Sequence, residues 1–411
     1  MTASPADPLQ PARPHWLTAE RIRVYSWLLA ICFAIALVVT LMRSLPDLVD
    51  PRGKPVGYDF MAFWSAARLA LAGHAAAVFD GAALSAVQHA AVPAAPQIWF
   101  PWHYPPTYLL AVLPLGLLPY PAALAAFVAA TTALWLAFVR RLIPAPQAWI
   151  VGAAAPAGLI NLLDGQNAFL TAALAGFAVL WLDRKPRLAG VLVGLLAIKP
   201  HLALLFPVAL AAGGCRRSLA AAAATVVIFV AASVAALGTG SMMAFVEHLS
   251  VSQAMADSGA VPWEWMPSPY VLALSLGASA RTAAAVQALA AIGAAVCVGR
   301  AWRAAAPFEA KAAVLFAASM LVSPYMFTYD LVWDAVAVGF LAVRGLHEGF
   351  RPGERELLLA VWLAPLAFIP LYSIGGVQLG CLPTLALLAW ATHRAAAVRA
   401  TPAASVRASA A

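Results

Sequence analysis

From Val24 to Ala391 the chain alternates long apolar runs with short basic clusters, and this alternation leaves few folds open to it. The first run, Val24 to Met42, follows Arg13, Arg21 and Arg23. At about 19 residues it is long enough to cross a hydrocarbon layer roughly 30 Å thick. Further runs fall at 148–163, 166–182, 187–199, 200–213, 218–238, 283–302, 312–323, 326–343, 356–371 and 378–391. Between them stand Arg140-Arg141, the 183–187 stretch, Cys215-Arg216-Arg217, the 300–303 stretch with Lys311, the 344–355 stretch and His393-Arg394. Only 10% of the residues are charged and 64% are hydrophobic, whereas a soluble domain carries about 25% charged residues. Such a chain lacks the polar side chains to cover a surface in water. Its natural solvent is a bilayer, and helices are the way to satisfy its backbone there. The net charge of +8 does not call for nucleic acid, because membrane proteins keep Lys and Arg on their cytoplasmic loops. Cys32, Cys215, Cys297 and Cys381 are far apart and form no CxxC pair, so neither a disulfide framework nor a zinc site is indicated.

The basic clusters set an orientation. Residues 1–23 read as a cytoplasmic tail. The first run reads as a retained span, because Leu41-Met42-Arg43-Ser44-Leu45-Pro46 is a poor cleavage site for a signal peptide. Residues 45–104 are too polar to span and form a long first external loop. Residues 105–141 carry Pro105, Pro106, Pro114, Pro119 and Pro121. Helical throughout, they would reach roughly 54 Å, too long for one straight span. One full span plus a short or re-entrant helix is expected. The total is about twelve spans with both termini in the cytoplasm, residues 24–392 as one transmembrane domain, and 393–411 as a disordered cytoplasmic tail. In this topology the unusual polar segments all fall on the outer side: 57–60, 164–167, 198–201, the 239–282 loop and 323–330. They point to one shared site, although loops are polar everywhere and their coincidence there is the competing reading.

Individual residues sharpen this. Asp59 begins a run to Gly73 that reads as an amphipathic helix, with Asp59 as N-cap, Gly73 as stop and a stripe of Phe60, Phe63, Trp64, Ala67 and Leu71 suited to the membrane interface. Asp59 is thus either a helix cap or a carboxylate at the water–lipid boundary, desolvated toward general-base work. Arg68 is placed to meet a lipid phosphate. Lys199 sits at the tip of an apolar hairpin, 188–212, turned by Pro200. A charge at that depth is costly and marks either function or a lysine snorkelling to the interface. A phosphate headgroup is the partner it would suit, and His201 adds a donor beside it or is merely packed. Asp164-Gly165 makes a turn. Gln166 and Asn167 are amides of the kind that bond sugar hydroxyls. His103-Tyr104-Pro105-Pro106 breaks the chain where it re-enters the membrane. Ser323-Pro324-Tyr325 and Tyr329-Asp330 lie at the outer ends of two spans, with Asp334 one helical turn beyond Asp330. Glu247, His248, Asp257, Trp263, Glu264 and Trp265 in the 239–282 loop suit carbohydrate contact or an interfacial belt. There is no Walker A, GxGxxG, GxSxG or HExxH pattern, so an activated substrate is expected to arrive through the membrane.

The order of motifs resembles glycosyltransferase family 87. It runs Tyr58-Asp59-Phe60, Phe63-Trp64-Ser65-Ala66-Ala67, Leu71-Ala72-Gly73 and Val78-Phe79-Asp80. It continues through Tyr104-Pro105-Pro106, the 113–119 stretch, Gly165-Gln166-Asn167, the 197–201 stretch and Val322-Ser323-Pro324. These are bacterial membrane proteins related to the polyprenol-phosphate-mannose-dependent mannosyltransferase of phosphatidylinositol mannoside synthesis. The resemblance covers about residues 57 to 335. It implies an all-α polytopic bundle of the C-type glycosyltransferase fold, with the catalytic aspartate, Asp59 here, on the long first external loop. It aligns Lys199 with the family's Lys-Pro motif and Gln166 with its Gly-Gln motif. One departure stands out: the mannosyltransferase has a functional histidine after its Ser-Pro segment, where this chain has none, leaving Tyr325, Tyr329 or Asp330 to substitute.

The combined expectation is a hexosyltransferase moving a sugar, mannose by resemblance, from a polyprenyl-phosphate donor to a lipid or glycan acceptor outside a bacterial inner membrane. Asp59 would be catalytic. Lys199, Arg68 and His201 would hold the donor phosphate. Gln166, Asn167, Tyr104, Tyr325, Tyr329 and Asp330 would contact sugar or acceptor, with no metal or other cofactor. The alternatives are a transporter or flippase for an amphipathic lipid, or a non-catalytic family member.

Overall fold

The computed structural model describes residues 15–45, 47–95 and 99–396. Most of the expected N-terminal tail and residues 397–411 of the C-terminal one lie outside them. The described residues are helical, with one isolated antiparallel bridge, Val49 to Pro55, and no strand. Among the described residues four helices are long and apolar enough to cross a membrane: Ala19–Ser44, Tyr120–Leu142, Arg216–Leu237 and Ala280–Arg303. A fifth span results if Glu354–Leu366 and Phe368–Gly375 are one crossing bent by 68°. The outward-facing apolar side chains of these helices, such as Leu28, Val38, Met42, Val227, Ile228, Leu289 and Ile292, are exposed. Contiguous surface of that kind is untenable in water and at home among acyl chains, so this is a membrane-embedded protein.

Each remaining apolar run is also helical, but prolines break several into pieces. Residues 148–163 form Ala148–Ala153 and Pro156–Asp164; 187–199 form Pro186–Leu195 and a 3₁₀ turn, Leu196–Ile198; 200–213 form Pro200–Ala203 and Phe206–Ala212. The 105–141 stretch divides as its prolines require, into Pro106–Val112 with a 3₁₀ turn and the full-length Tyr120–Leu142. The arms either side of Lys199 do not form the expected tight hairpin. Pro186–Leu195 packs against Arg216–Leu237 and Ala168–Leu180, whereas Phe206–Ala212 packs mainly against Ala280–Arg303. The first of these contacts depends on small residues. A methyl on Gly190 would collide with the Ser218 carbonyl, and one on Gly194 would lie 2.5 Å from Cβ of Thr225. The two helices run parallel, in the close approach that membrane helices use.

Among the described residues three apolar clusters result: a minor one around Met266, Tyr270 and Val271, and two that flank the polar segments. The larger gathers Trp135, Phe138, Phe206, Phe316, Trp333 and Phe340. The smaller gathers Phe60, Phe63, Trp102, Tyr108 and Phe127 around the first loop. The Phe60–Leu71 helix belongs to this second core, which corrects its reading as an interfacial helix. Every residue from Phe60 to Ala67 is buried, so its first two turns are enclosed on all sides and only its far end, Leu71 included, is exposed. Ile198 closes the smaller core and Tyr329 and Leu331 belong to the larger. The polar segments therefore meet where the two cores abut.

Candidate functional site

The first wall of the site is the loop before the Phe60–Leu71 helix. Asp50 gathers it by accepting from the Arg52 and Lys54 amides at 2.8 and 2.9 Å, and the Tyr58 hydroxyl also donates to it. The Tyr120 hydroxyl donates to the Val56 carbonyl. This brings Asp59 to Asp164, whose carbonyl accepts from the Asp59 amide at 3.0 Å. The next residue, Gly165, has φ +61°, and a Cβ there would lie 2.6 Å from Cβ of Phe60 and 2.9 Å from the Gly57 carbonyl oxygen. Only glycine fits such a left-handed, crowded turn. The turn aims Gln166 at Asp59.

Gln166 then fixes the carboxylate. Its Oε1 accepts from the Asn167 backbone amide and the Tyr104 hydroxyl, both at 3.1 Å. A backbone N–H can only donate, so the amide orientation is determined: Nε2 faces Asp59 and donates to Oδ2 at 2.7 Å. Asp59 stands at the start of its helix but makes no side-chain capping bond. The cap reading is thereby corrected, because the carboxylate is spent on Gln166 rather than on the helix. Burial pushes the Asp59 carboxyl above the usual carboxylate range, against the opposing pull of the Gln166 bond and the charges of Lys199 and Lys54.

Lys199 and Asp330 form the opposite wall. Lys199 is the joint between the Leu196–Ile198 turn and Pro200. The Thr107 hydroxyl anchors this joint, donating to the Ala197 carbonyl at 2.7 Å. The Lys199 ammonium donates to Asp330 Oδ1 and Oδ2 at 2.6 and 2.8 Å, and lies 4.8 Å from the Tyr329 ring centre. Only 3% of Lys199 and none of Asp330 is exposed. Lys199 is therefore neither snorkelling nor free: it is a buried cation paired in fork geometry. The two walls interact, since Asp59 lies in the fields of both Lys199 and Asp330. Among the described residues no group of three His, Cys, Asp or Glu side chains is placed to hold a metal ion.

The sequence model of glycosyltransferase family 87 matches residues 102–324, more than half of the chain. The chain belongs to glycosyltransferase family 87. No curated protein and no solved structure matches it. Within this glycosyltransferase the matched stretch contains Tyr104, Gln166, Asn167, Lys199 and His201, whereas Asp59, Arg68, Tyr325, Tyr329 and Asp330 lie outside it.

The structure of this family 87 glycosyltransferase unites Asp59, Gln166, Tyr104, Lys199, Tyr329 and Asp330, and leaves other expected residues apart. Arg68 is exposed, 5.8 Å from the Trp64 ring and 3.3 Å from the Gly116 carbonyl, nine residues down its helix from Asp59. His201 adjoins Lys199, but its Nε2 is buried with no hydrogen-bond partner. Asn167 is wholly buried, and its side chain does not cap the helix it precedes. The Tyr325 hydroxyl donates to Gln253 on the Thr239–Asp257 helix. Asp334 faces away, accepting from the Thr384 hydroxyl at 2.5 Å. The 239–282 segment reaches the site's rim through this Tyr325 contact and through His103, whose Nδ1 lies 2.9 Å from the Ser252 hydroxyl and 3.2 Å from His248 Nε2. Sequence reasoning missed Lys54 and the Asp50–Tyr58 lock. It also missed the Lys199–Asp330 pairing, for which a signal existed: two opposite charges at membrane depth seek each other.

Proposed function

We propose that this glycosyltransferase moves a hexose, mannose by family resemblance, from a polyprenyl-phosphate carrier to a hydroxyl of a lipid or glycan acceptor. The reaction takes place on the outer face of a bacterial inner membrane, in one domain of about twelve crossings. The observation that supports this reading most is the carboxylate of Asp59, held by Gln166 instead of capping its helix and lying in the field of the buried Lys199. The acceptor oxygen attacks the anomeric carbon as the bond from that carbon to the phosphate oxygen breaks. The acceptor proton passes to Asp59 and the electron pair leaves with the phosphate. Lys199 is the cation available to the departing phosphate, as clamps are in other phosphate chemistry. Asp330 fixes its ammonium in place beforehand. Tyr104, Tyr329 and Gln166 are the neighbouring polar groups that would contact the sugar.

Substitution at position 59 tests the reading. Asparagine caps helices as well as aspartate but takes up no proton near neutral pH. General-base assistance is worth about 10²- to 10⁴-fold. Asp59→Asn should bind a polyprenyl-phosphate sugar normally and lose most turnover with a lipid extract as acceptor source. Because the base works deprotonated and burial raises its carboxyl, wild-type turnover should fall with acid above the ordinary carboxylate range. Near-normal rates in the Asn variant would leave a binding role instead.

A further inference from the structure

A third carboxylate stands beside Asp59, used neither by the turn it belongs to nor by the transfer step. Asp164 ends the Pro156–Asp164 helix and precedes the left-handed Gly165. Its carbonyl accepts from the Asp59 amide at 3.0 Å, and Gly165 is crowded onto Gly57 and Phe60, so the 57–60 and 164–165 backbones are held against each other. The half-buried side chain of Asp164 faces the same groups: its charge acts on Tyr58 and Tyr329, and it lies in the fields of Asp59 and Lys54.

The turn does not account for this side chain. An aspartate before glycine favours a turn by bonding the backbone amide two residues on, but here the Gln166 amide donates to the Asn161 carbonyl at 2.9 Å instead. Asp330 is committed to Lys199 and Asp59 to Gln166. Among the described residues neither a hydrogen bond nor an ion pair engages the Asp164 carboxylate. The charge balance gives it a task. Gln166, Lys199 and Lys54 all favour the charged form of Asp59, and a carboxylate stabilised in that form takes up a proton poorly. Asp330 offsets Lys199. Lys54 has no such partner: its backbone is clamped by Asp50, its ammonium lies 5.6 Å from the Tyr58 ring centre, and among the described residues no ion pair engages it. Asp164 is the negative charge set against it.

Taking Asp59 as the base, a reading on which this one depends, we infer that Asp164 is a positioning residue whose negative charge sustains the proton affinity of Asp59 against Lys54 and Lys199. The test is the pH profile of turnover, read on purified full-length protein with a polyprenyl-phosphate hexose as donor and a lipid extract as acceptor source. The charges facing the two carboxylates are Lys54, Lys199 and Asp330, with Tyr58, Tyr104 and Tyr329 as the neighbouring phenols. The base works deprotonated, so wild-type turnover falls as acid protonates Asp59. Removing a like charge lowers the proton affinity of Asp59, so Asp164→Asn should carry this acid limb to lower pH by on the order of one unit. Asparagine has the size and turn preference of aspartate, so helix content and donor binding should be retained. Asp164→Glu keeps the charge and should keep the limb in place. Lys54→Gln removes the opposing charge and should move the limb to higher pH. An unmoved limb in Asp164→Asn, with Asp59→Asn inactive, would overturn the role of Asp164 and leave Asp59 as the base. Near-normal turnover in Asp59→Asn would overturn the base reading itself. If Asp164→Asn is inactive at every pH, Asp164→Glu decides: a wild-type limb supports the role of the charge, and an inactive Glu variant overturns it.

Discussion

Lys199 and Asp330 set the energetics of the site. A buried ion pair recovers through mutual attraction only part of what its charges lose on leaving water, but removing one partner strands the other at a cost of about 3–5 kcal/mol. Lys199→Ala and Asp330→Asn should each lower the unfolding temperature in detergent, and Lys199→Ala with Asp330→Ala should recover much of the loss. Donor binding separates the two partners. Lys199→Ala should weaken polyprenyl-phosphate binding roughly ten- to hundredfold, the worth of one charged hydrogen bond. Asp330→Asn keeps the lysine itself, which the donor phosphate can pair in place of the lost carboxylate, and should retain more donor binding than Lys199→Ala. Equal loss in both variants would make the pair a purely structural clasp. Much of this site was legible at the level of single residues: Asp59, Gln166 and Lys199 stand out as polar groups in apolar surroundings. The pairing was harder to read, because 131 residues separate Lys199 from Asp330 and no local pattern records such a contact. Arg68 was hard to place for the opposite reason: its charge is ordinary for an exposed helix end, and only the fold shows that it reaches the Gly116 carbonyl.

Helix ends and turns carry the geometry. The left-handed Gly165 joins the Pro156–Asp164 helix to the Gln166 turn and touches Gly57 and Phe60. Gly165→Ala forces a Cβ into a backbone conformation L-residues avoid and into a space 2.6 Å from Phe60. Its effect should exceed local strain, because it pushes the 57–60 and 164–167 loops apart and draws Gln166 from Asp59. A loss of turnover comparable to that of Gln166→Ala is expected, with the helix content by circular dichroism retained. Full activity would show that the two loops tolerate separation. The helices themselves follow from apolar runs and proline breaks, which is why their positions were readable. The enclosure of Phe60–Leu71 was not, because a stripe of apolar residues fits a lipid interface and a protein wall equally well, and here Met61, Ala62 and Ser65 on the other face are buried too.

Across the whole molecule, the direction of insertion decides which compartment supplies the acceptor. Single cysteines at Ala260 and Arg217, both exposed positions, report it in a background lacking the four native cysteines. An impermeant maleimide added to intact cells should label position 260 and spare position 217 until the membrane is opened. The reverse pattern would place the Asp59–Lys199 centre in the cytoplasm.

The separation of Lys199 from Asp330 also bears on how the protein is made. A ribosome adding about 5–20 residues per second needs on the order of ten seconds to pass from the one to the other. Through that interval the segment bearing Lys199 enters the bilayer before its counter-ion exists. An unpaired charge in a membrane segment raises the insertion free energy, by up to about 2.5–3.5 kcal/mol at the bilayer centre and by less toward the interface. The leucines, valines and alanines on either side of it must therefore keep the segment inserted unaided, so their hydrophobicity serves biosynthesis before it serves packing.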